Sequence, residues 1–323
     1  MAVYTEVSDE ELARFIAGYG LGTLLSFKGI AEGVENTNYL VVTTGGTFVL
    51  TLYEKRVNVE DLPFFLGLME HLSARGVTCP LPVRDRNGDI LNELAGRRAA
   101  LITFLEGLWP KRPKVEHCLE LGKALARMHI ASSDFPLWRA NALGVSGWRP
   151  LFSSFSERTE EICPGLGKII ADELGFLEAS WPRNLPEGVI HADLFPDNVF
   201  FIDDKLSGII DFYFACNDAL AYDIAICLNA WCFDANSAFE PAKGAALIRG
   251  YDSVRPLSDG ERAAMPVLAR GAAMRFLVTR SYDWLNTPKD ALVARKDPAD
   301  YVRRLEFHQS VESISDYAPQ LIS

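Results

Sequence analysis

The chain has 323 residues, of which 49% are hydrophobic and 23% charged, and this composition suits a folded protein with two lobes. Its formal net charge of −11 excludes a basic surface of the kind that neutralises nucleic-acid phosphates. Membrane insertion is excluded because no apolar run approaches the length of a membrane span.

The first hundred residues predict a small sheet with two helices. Ser8-Asp9-Glu10-Glu11 is a capping box, which predicts a short helix that ends near Gly18 or Gly20. Aromatic and β-branched runs predict strands at 27–30, 39–43 and 48–53, with a hairpin turn at Gly45-Gly46. From Asn58 to Gly76, apolar residues recur at helical spacing and predict an amphipathic helix.

The rest of the chain reads as a mainly helical lobe. Residues 99–107 predict a buried strand that leads into a hinge, and residues 109–113 predict a linker. Helices are predicted over 115–130, 219–231 and 258–285. Short strands are predicted at 189–190, 199–202 and 206–210, with a hairpin loop at Asp203-Asp204-Lys205. The order of these elements predicts an α+β protein with a small N-terminal lobe and a larger C-terminal lobe.

We expect a cytoplasmic protein. The first twelve residues carry four acidic side chains and lack the basic flank and apolar core of a signal peptide. The six cysteines show no paired metal-ligand spacing, so reduced thiols are expected and a structural zinc site is not.

Polar residues at the ends of the short strands have the spacing of phosphoryl-transfer machinery. The run from His191 to Asn198 follows the kinase catalytic-loop pattern His-x-Asp-x-x-x-x-Asn, and Asp211 stands 211 − 198 = 13 residues further on. We predict that Asp193 accepts the proton of an acceptor hydroxyl and that His191 braces the loop. Asn198 and Asp211 supply oxygen atoms, which suit magnesium. Singly these residues also fit turns or caps, but together they favour a kinase.

With these motifs the chain resembles the aminoglycoside-phosphotransferase and choline-kinase group of protein-kinase-like enzymes. Within that group it is similar to the homoserine kinases of threonine biosynthesis, chiefly through the run Phe-Tyr-Phe-Ala-Cys at 212–216. The segments that carry the resemblance are 48–53, 62–66, 191–198, 210–216, 221–225 and 229–232.

The resemblance implies a two-lobed, protein-kinase-like fold. Residues 1–105 would form a nucleotide-binding lobe with a small antiparallel sheet, and residues 106–323 a mostly helical catalytic and substrate-binding lobe. It implies ATP and Mg²⁺ as cofactors and L-homoserine as the small molecule phosphorylated to O-phospho-L-homoserine. Nucleic acid and membrane are not expected as partners, and the oligomeric state is left open.

The resemblance also suggests where the nucleotide binds. The segment between the first two strands lies where these enzymes carry a phosphate-covering loop, and the hinge holds adenine through its backbone. The chain departs from the kinase template at Thr51, which stands where the motif Val-Ala-Ile-Lys has its lysine. The residues predicted to bind the nucleotide are Gly33, Asn36, Thr37, Val49, Thr51, Phe104 and Leu105.

The substrate site is harder to predict. Homoserine is a zwitterion, so its carboxylate needs a cation and its ammonium an anion or carbonyl groups. Arg275 and Arg280 are candidates because they lie in or beside the apolar stretch 272–279, although snorkelling or a structural ion pair would also explain them. Asp223 is the third candidate, and its alternative role is to cap a helix or brace the catalytic loop.

Two alternatives remain open. A kinase of the same fold could act on another small alcohol such as choline, methylthioribose or an aminoglycoside. Its cation-binding cage would use aromatic residues that otherwise form core, namely Tyr213, Phe214, Trp231, Phe233, Tyr282 and Trp284. A non-catalytic nucleotide-binding protein would explain the missing lysine, but binding alone does not need Asp193, Asn198 and Asp211 together.

Overall fold

The computed structural model describes residues 5–30, 36–54, 58–287 and 296–319. These residues fall into two compact units. One runs to Glu106 and also includes Gly208–Ile210, and the other comprises Gly107–Ser207 and the described chain from Asp211 onward. No helix within the described ranges has the length and apolar character needed to cross a membrane.

The N-terminal unit is built on a five-stranded antiparallel sheet with strand order β1-β2-β3-β5-β4. Its elements are α1 (Asp9–Ala17), β1 (Leu24–Ile30), β2 (Thr37–Thr43), β3 (Gly46–Leu52), α2 (Leu62–Ala74), β4 (Leu91–Leu94) and β5 (Arg97–Thr103). Both predicted helices and four of the strands are confirmed. The fourth strand was not predicted because its four residues, Leu-Asn-Glu-Leu, are too short to show a periodic pattern.

Local sequence signals explain the ends of these elements. The predicted capping box is present, since Ser8 Oγ accepts from Glu11 N and the Glu11 carboxylate accepts from Ser8 N. Thr43 pairs with Gly46, so the hairpin turn is Thr44-Gly45, one residue earlier than predicted. Gly46 has a φ of 142°, which only glycine adopts easily, and it opens β3 instead of forming the turn.

The two faces of this sheet differ. Leu50 and Leu52 are fully buried in a core cluster that also contains Leu12 and Ile16 of α1. Side chains alternate along a strand, so the residues between them lie on the opposite face. The register pairs Asn38 with Thr51 and Leu40 with Val49 on that opposite face. Leu40 and Val49 are only half-buried there.

The rest of the chain is mostly helical, with two short β-pairs. The elements are α3 (Val115–Ala131), α4 (Val145–Ser153), α5 (Leu166–Ser180), β6 (Glu187–Ile190), β7 (Val199–Ile202), β8 (Lys205–Ile209), β9 (Cys216–Ala219), α6 (Leu220–Trp231), α7 (Pro241–Asp252), α8 (Asp259–Asn286), α9 (Ala299–Gln309) and α10 (Ile314–Tyr317). β6 pairs with β9, and β7 pairs with β8. The predicted helices and short strands are confirmed, whereas α4, α5, α7, α9 and α10 were not predicted.

Helices α3 and α7 approach each other closely because glycines meet at their crossing. A Cβ atom on Gly122 would lie 2.1 Å from Leu247 O, and one on Gly250 would lie 2.2 Å from Leu119 O. Neither position can therefore carry a side chain without separating the helices.

The C-terminal helices are attached to α6 through a buried histidine. His308 of α9 lies 2.8 Å through Nδ1 from Tyr317 Oη and 3.1 Å through Nε2 from Asn229 Oδ1. The amide oxygen can only accept, so Nε2 carries the proton and Nδ1 accepts from the tyrosine. Burial lowers the pKa of His308 from 6.5 to about 3, and the positive charges of Arg304 and Arg270 act in the same direction.

We expect the free energy of unfolding to decrease as the pH falls from about 6.5 toward about 3. The unfolded chain binds a proton at His308 in this range whereas the folded chain does not, so acid favours unfolding. Urea denaturation of the wild type and His308→Gln at several pH values measures this, and the variant should show a flatter dependence. His71→Gln is the control for loss of a histidine. Equal slopes for the wild type and His308→Gln would contradict the expectation.

Candidate active site

The predicted catalytic loop connects β6 to β7 in the C-terminal unit. It starts at His191, directly after β6, and contains a 3-10 turn at Pro196–Asn198. Because Ile190 pairs with Cys216 of β9, the loop begins beside the chain that follows Asp211. The rings of His191 and Phe212 are 4.9 Å apart, which brings Asp211 next to the loop.

Asn198 is oriented by a hydrogen bond inside the loop. Its Nδ2 donates to Asp193 O over 2.8 Å. The amide oxygen Oδ1 therefore points away from that carbonyl, and such an oxygen is a suitable ligand for a hard cation. The N–H of Phe195 also donates to Asp193 O, over 2.9 Å, so the loop curls tightly around this carbonyl.

Two residues of the site adopt a left-handed backbone without being glycine. Ala192 has a φ of 63°, and Asp211 has a φ of 66° and a ψ of 62°. This conformation costs an alanine roughly 1–2 kcal/mol. The surrounding structure therefore has to hold Ala192 in place.

Asp223 of α6 holds Ala192 from its amide side. Its Oδ2 accepts from His191 N over 2.7 Å, and its Oδ1 accepts from Ala192 N over 2.9 Å. His129 Nε2 lies 3.2 Å from Oδ2. Burial opposes ionisation of Asp223, but His129 and the loop N–H groups outweigh it and hold the pKa below its ordinary value. A fully buried carboxylate with both oxygens hydrogen-bonded has no surface for a ligand, so Asp223 braces the loop and does not bind the substrate.

Arg275 of α8 holds Ala192 from its carbonyl side. It is 2% exposed, and its Nη1 donates to Ala192 O. Its guanidinium also lies over aromatic rings, 4.7 Å from that of Phe276 and 5.8 Å from that of Phe214. Arg275 was predicted to bind the substrate, but the structure places it as an anchor of the catalytic loop.

His191 and Trp231 complete the support of the loop. His191 is fully buried, and its Nδ1 accepts from Asp193 N over 3.3 Å, as a brace would. Trp231 Nε1 donates to Leu194 O over 2.8 Å. Trp231 and Phe233 are both buried, so neither is placed to line a cation cage.

The support of the loop extends through a chain of polar contacts that the sequence did not reveal. Tyr251 Oη is 2.7 Å from His129 Nδ1, and Arg255 Nη1 donates to Tyr251 Oη over 3.2 Å. Arg255 also forms an ion pair of 2.8 Å with Glu261, which closes the capping box of Ser258 at the start of α8. The only sign of these contacts in the sequence is a polar side chain, His129, in the helix predicted over 115–130.

The carboxyl group of Asp193 lies among opposing influences. Burial raises the pKa of Asp193 above its ordinary value, whereas the positive charges of Arg275 and Lys296 act to lower it. A carboxyl group whose pKa is raised is a stronger proton acceptor once it is ionised, which suits a general base.

Most of the predicted nucleotide-binding side chains in the N-terminal unit have other partners. Thr37 Oγ1 donates to Glu54 Oε1 over 2.8 Å, and Asn36 Oδ1 accepts from Glu54 N over 3.3 Å. The register places Thr37 opposite Leu52, on the face that packs against α1. The Thr37 side chain therefore points away from the face of Val49 and Thr51, and only the backbone N–H of Thr37 stays a predicted phosphate contact.

The other nucleotide candidates fall into three groups. Thr51 Oγ1 donates to Asn38 Oδ1 over 2.8 Å and is 2% exposed, so its hydroxyl is already paired. Val49 is half-buried, and Phe104, which is 45% exposed, and Leu105 follow the last paired residue of β5. Gly33 lies outside the described residues.

The family model of the phosphotransferase enzyme family matches residues 26–257. The chain belongs to this family. This phosphotransferase is 61% identical over 317 residues to a homoserine kinase of Xanthobacter autotrophicus, and the alignment covers 98% of this chain and 99% of the relative. It is 62% identical over 318 residues to a homoserine kinase of Bradyrhizobium diazoefficiens, and this alignment covers 98% of this chain and 97% of the relative.

Solved structures confirm the predicted fold class of this phosphotransferase. An amicoumacin kinase in complex with AMP-PNP, Ca²⁺ and Ami superposes with a TM-score of 0.70 at 15% identity, over 97% of this chain and 96% of the other. A spectinomycin phosphotransferase in complex with ADP and spectinomycin gives 0.67 at 12% identity, over 97% and 98%. At such low identity the likeness concerns the fold alone.

We expect Asp223→Asn to lower both stability and turnover of this phosphotransferase. The substituted amide has one acceptor oxygen for the two loop N–H groups, and its NH₂ group faces one of them. The free energy of unfolding should fall by about 1–3 kcal/mol, and kcat by roughly 10- to 100-fold because the loop shifts. Urea denaturation and steady-state kinetics measure these changes.

Glu178→Gln is a matched control, since it removes a carboxylate from an exposed ion pair with Arg149. It should change neither quantity appreciably. Unchanged turnover of Asp223→Asn would show that the geometry of the loop does not depend on this carboxylate.

Proposed function

We propose that this phosphotransferase is an ATP-dependent homoserine kinase that forms O-phospho-L-homoserine from L-homoserine in threonine biosynthesis. The observation that carries this proposal is the identity of about 60% to relatives named homoserine kinase, over nearly the full length of both chains. The braced loop with the kinase spacing supports it independently, because a binding protein has no need for a fixed carboxylate beside a cation site. A cytoplasmic location is part of the same proposal.

In the proposed reaction Asp193 orients the acceptor hydroxyl and accepts its proton. Three features support this role. The backbone of the loop is fixed by Asp223 and Arg275, the carboxyl group is half-buried, and burial raises its pKa while the charges of Arg275 and Lys296 limit that rise. Such positioning is the main contribution that a protein makes to phosphoryl transfer.

Asn198 and Asp211 are the proposed ligands of Mg²⁺. An amide oxygen directed away from its hydrogen-bonded side and a carboxylate form an oxygen donor set that fits a hard divalent cation. The amicoumacin kinase structure contains a nucleotide analogue and Ca²⁺, which supports a nucleotide held with a divalent cation. When bound, the cation neutralises negative charge on the phosphates.

For the nucleotide itself we propose Val49, Phe104 and Leu105. Val49 offers a half-buried apolar side chain on the sheet face opposite α1. Phe104 and Leu105 lie just beyond the paired part of β5, where backbone groups no longer belong to the strand register. Thr51 is a weaker candidate because Asn38 occupies its hydroxyl.

An acceptor screen tests the proposed function. Purified protein with ATP and Mg²⁺ is assayed for ADP release with homoserine, choline, methylthioribose and kanamycin, and the product is identified by mass spectrometry. We expect efficient turnover with homoserine alone. Turnover of choline or kanamycin without turnover of homoserine would refute the proposal.

Asp193→Asn should lower kcat by roughly 10²- to 10⁴-fold, the usual contribution of a general base. Binding of ATP, measured by calorimetry, should stay nearly unchanged, since the substitution affects proton acceptance and not the nucleotide. Asp197→Asn is the matched control because it removes an exposed carboxylate from the same loop. If both variants keep wild-type kcat, Asp193 is not the base.

Asp211→Asn should raise the Mg²⁺ concentration needed for half-maximal activity by about tenfold or more, because a neutral amide binds a hard cation less tightly than a carboxylate. Asparagine also tolerates the left-handed backbone at this position, so the fold should be retained. Asp203→Asn, at another left-handed aspartate in the hairpin between β7 and β8, is the control. Activity titrated with MgCl₂ measures the difference, and identical titration curves would remove Asp211 as a ligand.

A further inference from the structure

Three basic side chains of the C-terminal unit gather next to the catalytic loop, and we call Arg280, Lys296 and Arg304 the cation cluster. The Arg280 guanidinium is 6.0 Å from the ring centroid of Phe195, and Lys296 Nζ is 5.5 Å from the same ring. Arg280 and Arg304 also flank Tyr301, at 4.5 and 4.7 Å from its ring centroid. The cluster therefore joins α8 and α9 to the loop that carries Asp193.

The cation cluster has no counter-ion among the residues that the structure describes. Within the described ranges, no carboxylate forms an ion pair with any of its three members, whereas Arg149, Arg255 and Arg270 each pair with a glutamate. The chain has 43 acidic and 32 basic residues, so acidic partners are abundant. Holding like charges together without a partner costs energy, and a bound anion would remove that cost.

The cluster also contains polar atoms that lack an acceptor. Arg304 Nη1 donates to Asn229 O over 2.6 Å, but its Nε is buried and finds no hydrogen-bond partner in the described chain. The hydroxyl of Tyr301, a fully buried residue, is likewise unpaired there. Buried donors normally have partners, so these two unpaired groups show that acceptors are scarce around the cluster.

The position of the cluster suggests which anion it binds. Phe195 is two residues from Asp193, and its N–H donates to Asp193 O over 2.9 Å. Lys296 is close enough for its charge to act on the Asp193 carboxyl group. In homoserine four bonds separate the hydroxyl oxygen from the carboxyl carbon, a span of roughly 5 Å when extended. An amino acid whose hydroxyl reaches Asp193 can therefore extend its carboxylate toward the side of the loop that carries Phe195.

We propose that Arg280 and Lys296 bind the α-carboxylate of the amino-acid acceptor, with Arg304 and Tyr301 supporting Arg280. This inference rests on the proposed function and makes the cluster the part of the site that determines specificity. A zwitterionic amino acid is attracted by these charges through its carboxylate. A cationic alcohol such as choline or an aminoglycoside has no carboxylate to offer and is repelled.

The test compares homoserine with 3-aminopropan-1-ol, which is homoserine without its carboxylate. In Arg280→Gln and Lys296→Gln the KM for homoserine should rise about 10- to 100-fold, as expected for loss of one charge-assisted hydrogen bond. The KM for ATP should stay unchanged. The wild-type preference for homoserine in kcat/KM should shrink by the same factor. Where 3-aminopropan-1-ol reacts too slowly, its inhibition constant against homoserine gives the same comparison.

Arg303→Gln is the matched control, because this arginine lies on α9 next to Arg304 but already pairs with Asp300. Arg280→Lys keeps the charge and should recover part of the lost affinity. The unfolding midpoint of each variant shows whether it is folded. Lys296 is exposed, so Lys296→Gln carries the test if Arg280→Gln does not fold.

Two outcomes would overturn the inference. A higher KM for ATP with an unchanged KM for homoserine would assign the cluster to the phosphates of the nucleotide. Unchanged KM values for homoserine and for ATP in the folded variants would show that the cation cluster is a structural feature. By contrast, a wild-type protein that does not phosphorylate homoserine at all would refute the proposed function itself, so the two failures are distinguishable.

Discussion

The catalytic loop depends on how two buried ions hold the backbone at Ala192. Asp223 accepts hydrogen bonds from His191 N and Ala192 N, and Arg275 donates to Ala192 O. Each charge-assisted hydrogen bond contributes roughly 1.5–3 kcal/mol, whereas the left-handed backbone costs roughly 1–2 kcal/mol. The contacts from the neighbouring helices therefore outweigh the strain, and the backbone direction of Asp193 is set by α6 and α8 more than by the loop itself.

Burying two ions is costly unless their hydrogen-bonding capacity is used. Asp223 accepts from N–H groups on one side of Ala192, and Arg275 donates to the carbonyl group on its other side. Together these bonds fix the orientation of the peptide dipoles at Ala192. Asp223 is further compensated by His129, itself connected through Tyr251 to Arg255. His129 lies on α3 and Tyr251 on α7, and these two helices cross closely at Gly122 and Gly250. Helix packing and loop geometry are thus coupled.

The sequence predicted what is encoded locally. The loop spacing, the capping box of α1 and the strand alternation all appear within a few residues, and the structure contains each of them. A brace was only the alternative role expected for Asp223, and the anchoring role of Arg275 was not predicted, because the two residues lie 31 and 83 residues from Ala192. The direction of the Thr37 side chain is a different case, because it was predictable. Side-chain alternation carried across the hairpin turn puts Thr37 on the sheet face that does not carry Val49. A turn misplaced by one residue shifts the pairing by two residues, which leaves the faces unchanged.

The distribution of charge also follows from the chemistry of the site. A chain of net charge −11 repels ATP and any acceptor that carries a carboxylate, so binding requires local positive charge. Arginines remote from the loop, such as Arg149 and Arg270, are neutralised by glutamates and add little to the field at Asp193. Arg275 and Lys296 have no such partner in the described chain, and both act on the Asp193 carboxyl group. Positive charge is thus left unneutralised where a carboxylate must stay ionised despite burial.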